Sequence, residues 1–169
     1  MFKFLELDGF TRKYMRQEYI LDRDKGVLYV SRVMSEEGLA AYPELLLDAL
    51  NSGTVETFAA KLAESSYWGP KARNDAHDAL AEEQFNQYYM RGLMLKLIEE
   101  GQDEAEIYLA NEDSAGRRRG AQPGDLVKCA DALEDLRDPQ RNLIRGKTGL
   151  VRGSKSGVSL KRVGQKVRV

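Results

Sequence analysis

Between Asn74 and Glu100 the apolar residues Leu80, Phe85, Tyr88, Tyr89, Leu93, Leu97 and Ile98 recur with a helical period. That recurrence predicts one long helix with a broad apolar face. At 1.5 Å per residue it spans about 40 Å. In a chain of 169 residues, the other elements must pack along such a pillar. Gly92 lies inside it and costs about 1 kcal/mol against Ala. A close helix contact or a kink is expected there. Gly101 falls where a helix C-terminal cap belongs.

The remaining elements are shorter. Thr11 to Asp24 reads as a helix with Thr11 as its cap. Val27-Leu28-Tyr29-Val30 reads as a short strand. A helix carrying Leu45, Leu46, Ala49 and Leu50 begins either at a Ser35 cap or at Pro43, since proline is best tolerated in a first turn. Asn51-Ser52-Gly53 stops it. Thr54 then caps a helix presenting Val55, Phe58, Ala59, Leu62 and Ala63. Ser65 to Lys71, with Gly69-Pro70, is a loop. Ala105 to Leu109 alternates like a strand and needs a partner, either Val27–Val30 or a neighbouring copy. Asn111 to Gly124 is a polar loop bearing Arg117, Arg118 and Arg119. Asp125 caps a last helix through Leu126, Val127, Ala130, Leu133 and Leu136, which Asp138-Pro139 ends. The expected fold is mainly α (α+β): a helical bundle with a long central helix, one or two short strands and an extended basic C-terminal arm.

Charge divides the chain at the same boundary. Residues 1–136 hold 16 basic and 26 acidic side chains, net −10, whereas 137–169 hold 10 basic and one acidic, Asp138, net +9. The overall charge of −1 hides this split. An acidic body with a basic arm suits head-to-tail contact between copies, because opposite potentials steer and register surfaces. It also suits an arm that touches nucleic acid. Val158 and Leu160 alternate in the arm, as do Val167 and Val169, a weak strand signal. The arm cannot build a core of its own, which leaves disorder, wrapping over the body, or pairing with a neighbour's sheet.

Motifs of chemistry are scarce. One cysteine, Cys129, closes no internal disulfide, so an intracellular setting is the expectation. With a single histidine, His77, the usual zinc sites are excluded. No apolar run approaches the roughly 18 residues of a membrane span, and the first residues lack the pattern of a signal peptide. His77 has Ala81 where a helical ligand partner would stand. Cys129 has no identifiable base. Asp22 and Asp24 before Gly26 fail the calcium-loop pattern, whose ligand positions fall on Leu21, Arg23 and Lys25. Glu82-Glu83 and Glu99-Glu100 are adjacent pairs and read as solvated faces. Gly116 to Gly120 and Gly146-Lys147-Thr148 lack the context of a phosphate loop. These absences point away from an enzyme, and no cofactor or metal is expected. The arm contains no Trp, Tyr or Phe, so it offers no stacking platform for single-stranded nucleic acid.

Four stretches resemble a family of small structural proteins from the virions of tailed bacteriophages. They are Met1–Leu7 leading to Thr11-Arg12-Lys13-Tyr14-Met15; Glu83-Gln84-Phe85-Asn86-Gln87-Tyr88-Tyr89-Met90-Arg91-Gly92-Leu93; Ile98-Glu99-Glu100-Gly101 running into Ile107-Tyr108; and Ser156-Gly157-Val158-Ser159-Leu160. The Phe-Asn-x-Tyr-Tyr-x-Arg-Gly stretch is the most specific. The arginine loop and most of the basic tail depart from the family.

The resemblance implies a head-to-tail connector or head-completion protein, assembled in the host cytoplasm and residing in the virion. Its expected form is a homo-oligomeric ring on the portal, meeting other neck or capsid proteins. The alternatives are a DNA-binding accessory protein using the basic arm and a capsid-associated structural protein. Expected interface residues are Tyr67, Trp68, Arg145, Arg152, Val158 and Leu160. Arg117, Arg118 and Arg119 are expected to meet phosphate, including non-specific DNA contact, or an acidic partner. No membrane partner is expected.

Overall fold

In a computed structural model of the protein, which describes residues 1–114, 120–140, 146–150 and 156–167, the long helix is present. It runs from Ala76 to Glu99. Among the described residues the elements in order are α1 (Gly9–Asp24), α2 (Glu36–Ser52), α3 (Val55–Leu62), a 3-10 turn (Ser65–Tyr67), α4 (Ala76–Glu99), β1 (Glu104–Leu109), β2 (Leu126–Lys128), α5 (Cys129–Arg137) and β3 (Val158–Arg162). The fold is mainly helical with a small antiparallel sheet in the order β2-β1-β3.

Helix α4 is the pillar because nearly every side faces protein. From Gln84 to Met94 every residue is buried, with α1, α3, α5 and β3 packed around it. A helix apolar on one stripe alone would expose the other; here even Asn86, Gln87 and Arg91 are covered. It ends at Gly101, whose φ of 78° lets Gln102 N–H reach Leu97 O at 2.8 Å and Gly101 N–H reach Ile98 O at 3.0 Å. That pair of bonds closes the helix as a Schellman motif.

Gly92 marks a close helix contact. A Cβ there would lie 2.8 Å from Thr11 O, 2.8 Å from Met15 Cγ and 3.0 Å from Met15 N. Two of those atoms are backbone and cannot rotate away. Gly92→Ala should therefore cost more in overpacking, about 1–3 kcal/mol, than the roughly 1 kcal/mol it gains in helix propensity. The expected result is a net loss near 1 kcal/mol, seen as a melting temperature lower by about 2–4 °C.

Several elements differ from the sequence reading. The cap of α1 is Asp8, whose carboxylate accepts from Thr11 N at 2.8 Å, so Thr11 lies within the first turn. Val27–Val30 forms no strand: Val27 N–H turns back to Asp22 O, and among the described residues no strand lies beside the segment. Helix α2 starts at the Ser35 cap and continues through Pro43. The proline carbonyl is used by the Tyr19 hydroxyl at 2.8 Å. Asp125 precedes a strand instead of a helix, because β1 offers Leu126–Lys128 a pairing edge and only Val127 of the three turns inward. The partners of β1 come from within the chain, β2 on one side and β3 on the other.

The arm runs back over the body. Asp135 of α5 accepts from Lys147 N, Thr148 N and Thr148 Oγ1 at 3.0, 2.8 and 2.6 Å, pinning residues 146–148. Beyond that, β3 completes the sheet, and Val167 packs with Phe2, Tyr108 and Ala110 in a small second cluster.

Candidate functional site

The stretch from Phe85 to Gly92 ties four distant parts of the chain together. Phe85 packs on Phe4 with ring centres 5.2 Å apart. Asn86 Nδ2 donates to Val158 O at 2.9 Å, and Gln87 Nε2 to Leu136 O at 3.2 Å. The Tyr88 hydroxyl donates to Asp22 at 2.7 Å. The Tyr89 hydroxyl accepts from Glu6 N at 3.1 Å. Arg91 reaches α1, and Gly92 lets α1 approach. The N-terminal segment, α1, the end of α5 and β3 thus all meet about two turns of α4.

The charge centre of this hub is Arg91, which is 1% exposed. Its Nε donates to Glu18 at 2.7 Å, while its two terminal nitrogens reach the two oxygens of Asp22 at 2.6 and 2.9 Å. The guanidinium also lies 5.0 Å from the Tyr88 ring centre. Arg137, at the end of α5, donates to both oxygens of Glu18 at 2.5 and 3.0 Å, sharing Oε2 with Arg91. Glu18 and Asp22 are like charges one helical turn apart on α1, a repulsive arrangement in isolation. The two arginines, with the Tyr88 hydroxyl on Asp22, make it tolerable.

Burial pushes the Glu18 carboxyl up, but hydrogen bonding from Arg137 and the charge of Arg91 outweigh it and hold its pKa below the ordinary glutamate value. A depressed folded-state pKa contributes stability that is full above the unfolded value and lost as pH falls through the folded one. Stability should therefore decline below about pH 4. Arg137→Leu should move the acid unfolding midpoint upward, read by circular dichroism across pH 2 to 6.

A second set of charges fastens the arm. Lys161 Nζ sits 2.8 Å from Glu106, and Arg162 pairs with both Glu6 and Glu100. Glu6 also meets Lys96 at 3.0 Å, and Lys96 meets Asp8 at 2.5 Å. The Lys161 and Gly164 hydrogen bonds lower the Glu106 pKa, and the Arg162 bond lowers that of Glu100. At the start of β3, Gly157 adopts φ 64°, and its carbonyl accepts from Ala110 N at 2.8 Å and Asn111 N at 2.9 Å.

The expected interface residues fall differently. Val158 and Leu160 are 3% and 0% exposed inside the chain's own sheet, so as placed they offer no surface to another copy. The physical reason is that β1 supplies both hydrogen-bonding edge and apolar neighbours within the chain. Trp68 and Tyr67 are half-buried and fasten a local turn: Trp68 Nε1 donates to Leu62 O at 2.6 Å, Trp68 bridges Met34, and Tyr67 O accepts from Ser35 N. Arg117, Arg118, Arg119, Arg145 and Arg152 lie outside the described residues.

His77 stands beside Asp78 at 3.5 Å on the helix surface. Cys129 is buried, and burial together with the nearby Asp103 pushes its thiol up to about 11, the opposite of an activated nucleophile. Among the described residues, no cluster of His, Cys, Asp and Glu could hold a metal ion, and no helix is long and apolar enough to cross a membrane.

Sequence reasoning missed the hub. Its signal was the acidic Glu18/Asp22 pair on a helix that otherwise buries Met15 and Tyr19, which demands a buried cation elsewhere. No family model, curated protein or solved structure matches the chain.

Proposed function

We propose that the chain is a non-enzymatic virion structural protein, a head-to-tail connector or adaptor that forms a ring docked on the portal. The observation that carries the reading is the fit between basic arm and acidic body. Strand β3 is held by Lys161 and Arg162 on Glu106, Glu6 and Glu100 of the same chain, so basic arm and acidic body are complementary in charge. A ring repeats such complementary contacts between copies, and electrostatic complementarity sets their register. The resemblance of the Phe85–Gly92 stretch supports the same reading. Its role here is to organise a rigid helical wall, as a subunit bearing mechanical load requires.

A pull-down of the full chain with a purified portal protein, run beside a titration of random-sequence duplex DNA, tests the proposal. Capture by the portal with no salt-dependent duplex binding is expected. Duplex binding without portal capture would replace the connector reading with the DNA-binding one.

A further inference from the structure

A groove of about 690 Å³ opens between the turn after α1, the middle of α4 and the end of α5. Its walls include Val27, Leu28, Leu136 and Pro139, and α4 contributes Gln84 and Gln87. These two glutamines are 1% and 7% exposed, yet Gln84 Nε2 and Gln87 Oε1 have no hydrogen-bond partner. Leaving a buried donor and acceptor unmade is costly, and native proteins rarely do so without cause. The two side chains lie three residues apart on one helix and so share a face.

Together they supply what a peptide amide needs, a donor for its carbonyl and an acceptor for its N–H. The last torsion of glutamine is broad, so the Gln84 amide turns toward the groove without moving α4, while Gln87 keeps its Nε2 on Leu136 O and offers its Oε1. Arg32 stands in the wall as an exposed cation with no ion pair to a described carboxylate. Val27 and Val30 keep large apolar surface exposed beside it.

We propose that this groove binds an extended peptide segment of a partner protein. One backbone amide is held between Gln84 and Gln87, aliphatic side chains lie against Val27, Leu28 and Leu136, and an acidic side chain meets Arg32. A nucleobase also offers a donor beside an acceptor, but the Tyr88 ring is already occupied by the Arg91 guanidinium, and Val27, Leu28, Val30 and Leu136 give the wall aliphatic surface for alternate side chains of a strand. The site stands independently of the connector reading, since it uses neither the arm nor the ring.

The test is selection of a random octapeptide display library on the full-length protein. Recovered peptides should place aliphatic residues at every second position, as a strand does, with an Asp or Glu among them. Gln84→Met and Gln87→Met should each weaken their binding at least tenfold. The melting temperature of Gln84→Met should not fall, because it removes an unpaired buried group. Arg32→Glu, a surface change, should turn the selected preference from acidic to basic. Absence of enrichment, equal binding to Gln84→Met, or an unchanged charge preference in Arg32→Glu would overturn the proposal. Saturable binding of adenosine monophosphate without peptide enrichment would overturn it as well.

Discussion

Arg91→Met should destabilise the fold by about 3–5 kcal/mol, the range for removing one partner of a buried ion pair. Methionine fills much of the space, so the loss comes mainly from stranding Glu18 and Asp22, which Arg91 holds at 2.6–2.9 Å. Arg137 still reaches Glu18, but Asp22 keeps only the Tyr88 hydroxyl among these partners. The charge itself is the cause, so removing all of it should restore much of the loss. The triple variant Glu18→Gln, Asp22→Asn, Arg91→Met is expected to lie closer to the wild type than Arg91→Met alone. Urea unfolding of the three proteins measures this. Equal losses in single and triple variants would show that shape, and not charge, is what the hub requires.

Leu160→Ala should cost about 2–5 kcal/mol, the usual range for truncating a buried leucine. Leu160 is fully buried, opposite Ile107 in the sheet. Its loss weakens an apolar anchor that the charged latch flanks. Val163, just past the strand and 51% exposed, is the natural control, and Val163→Ala should change stability by no more than about 0.5 kcal/mol. The contrast separates a strand built into the core from an arm lying loosely on the surface. If both substitutions have the same small effect, β3 is not part of the cooperative fold.

The helices were legible in the sequence because periodicity and punctuation agree there. Asn51-Ser52-Gly53 and Thr54 mark the α2–α3 boundary, and Gly101 marks the end of α4. Gly92 announced a close contact or a kink through its cost alone, and the structure shows the contact. The strands were less legible. Leu126–Lys128 carries the same apolar residues whether it begins a helix or joins a sheet, and only the edge of β1 decides between them. Val27–Val30 has the composition of a strand but no neighbour to pair with among the described residues, and propensity without a partner makes no sheet.

The hub was hidden for a related reason. Arg91 looks like any polar residue on a long helix until α1 brings Glu18 and Asp22 to it across more than 60 residues of sequence. The charge split was plain in the sequence. That Lys161 and Arg162 find their acids within the same chain was not, since composition records the signs of charges and not which copy supplies them.

The most direct test of the connector account is the mass and symmetry of the full-length protein in solution, by multi-angle scattering and native mass spectrometry at low salt and at 1 M. A closed oligomer of one defined size is expected at low salt. It should loosen at 1 M, where the Debye length falls to about 3 Å. A monomer under both conditions that also fails to form a ring on added portal protein would contradict it.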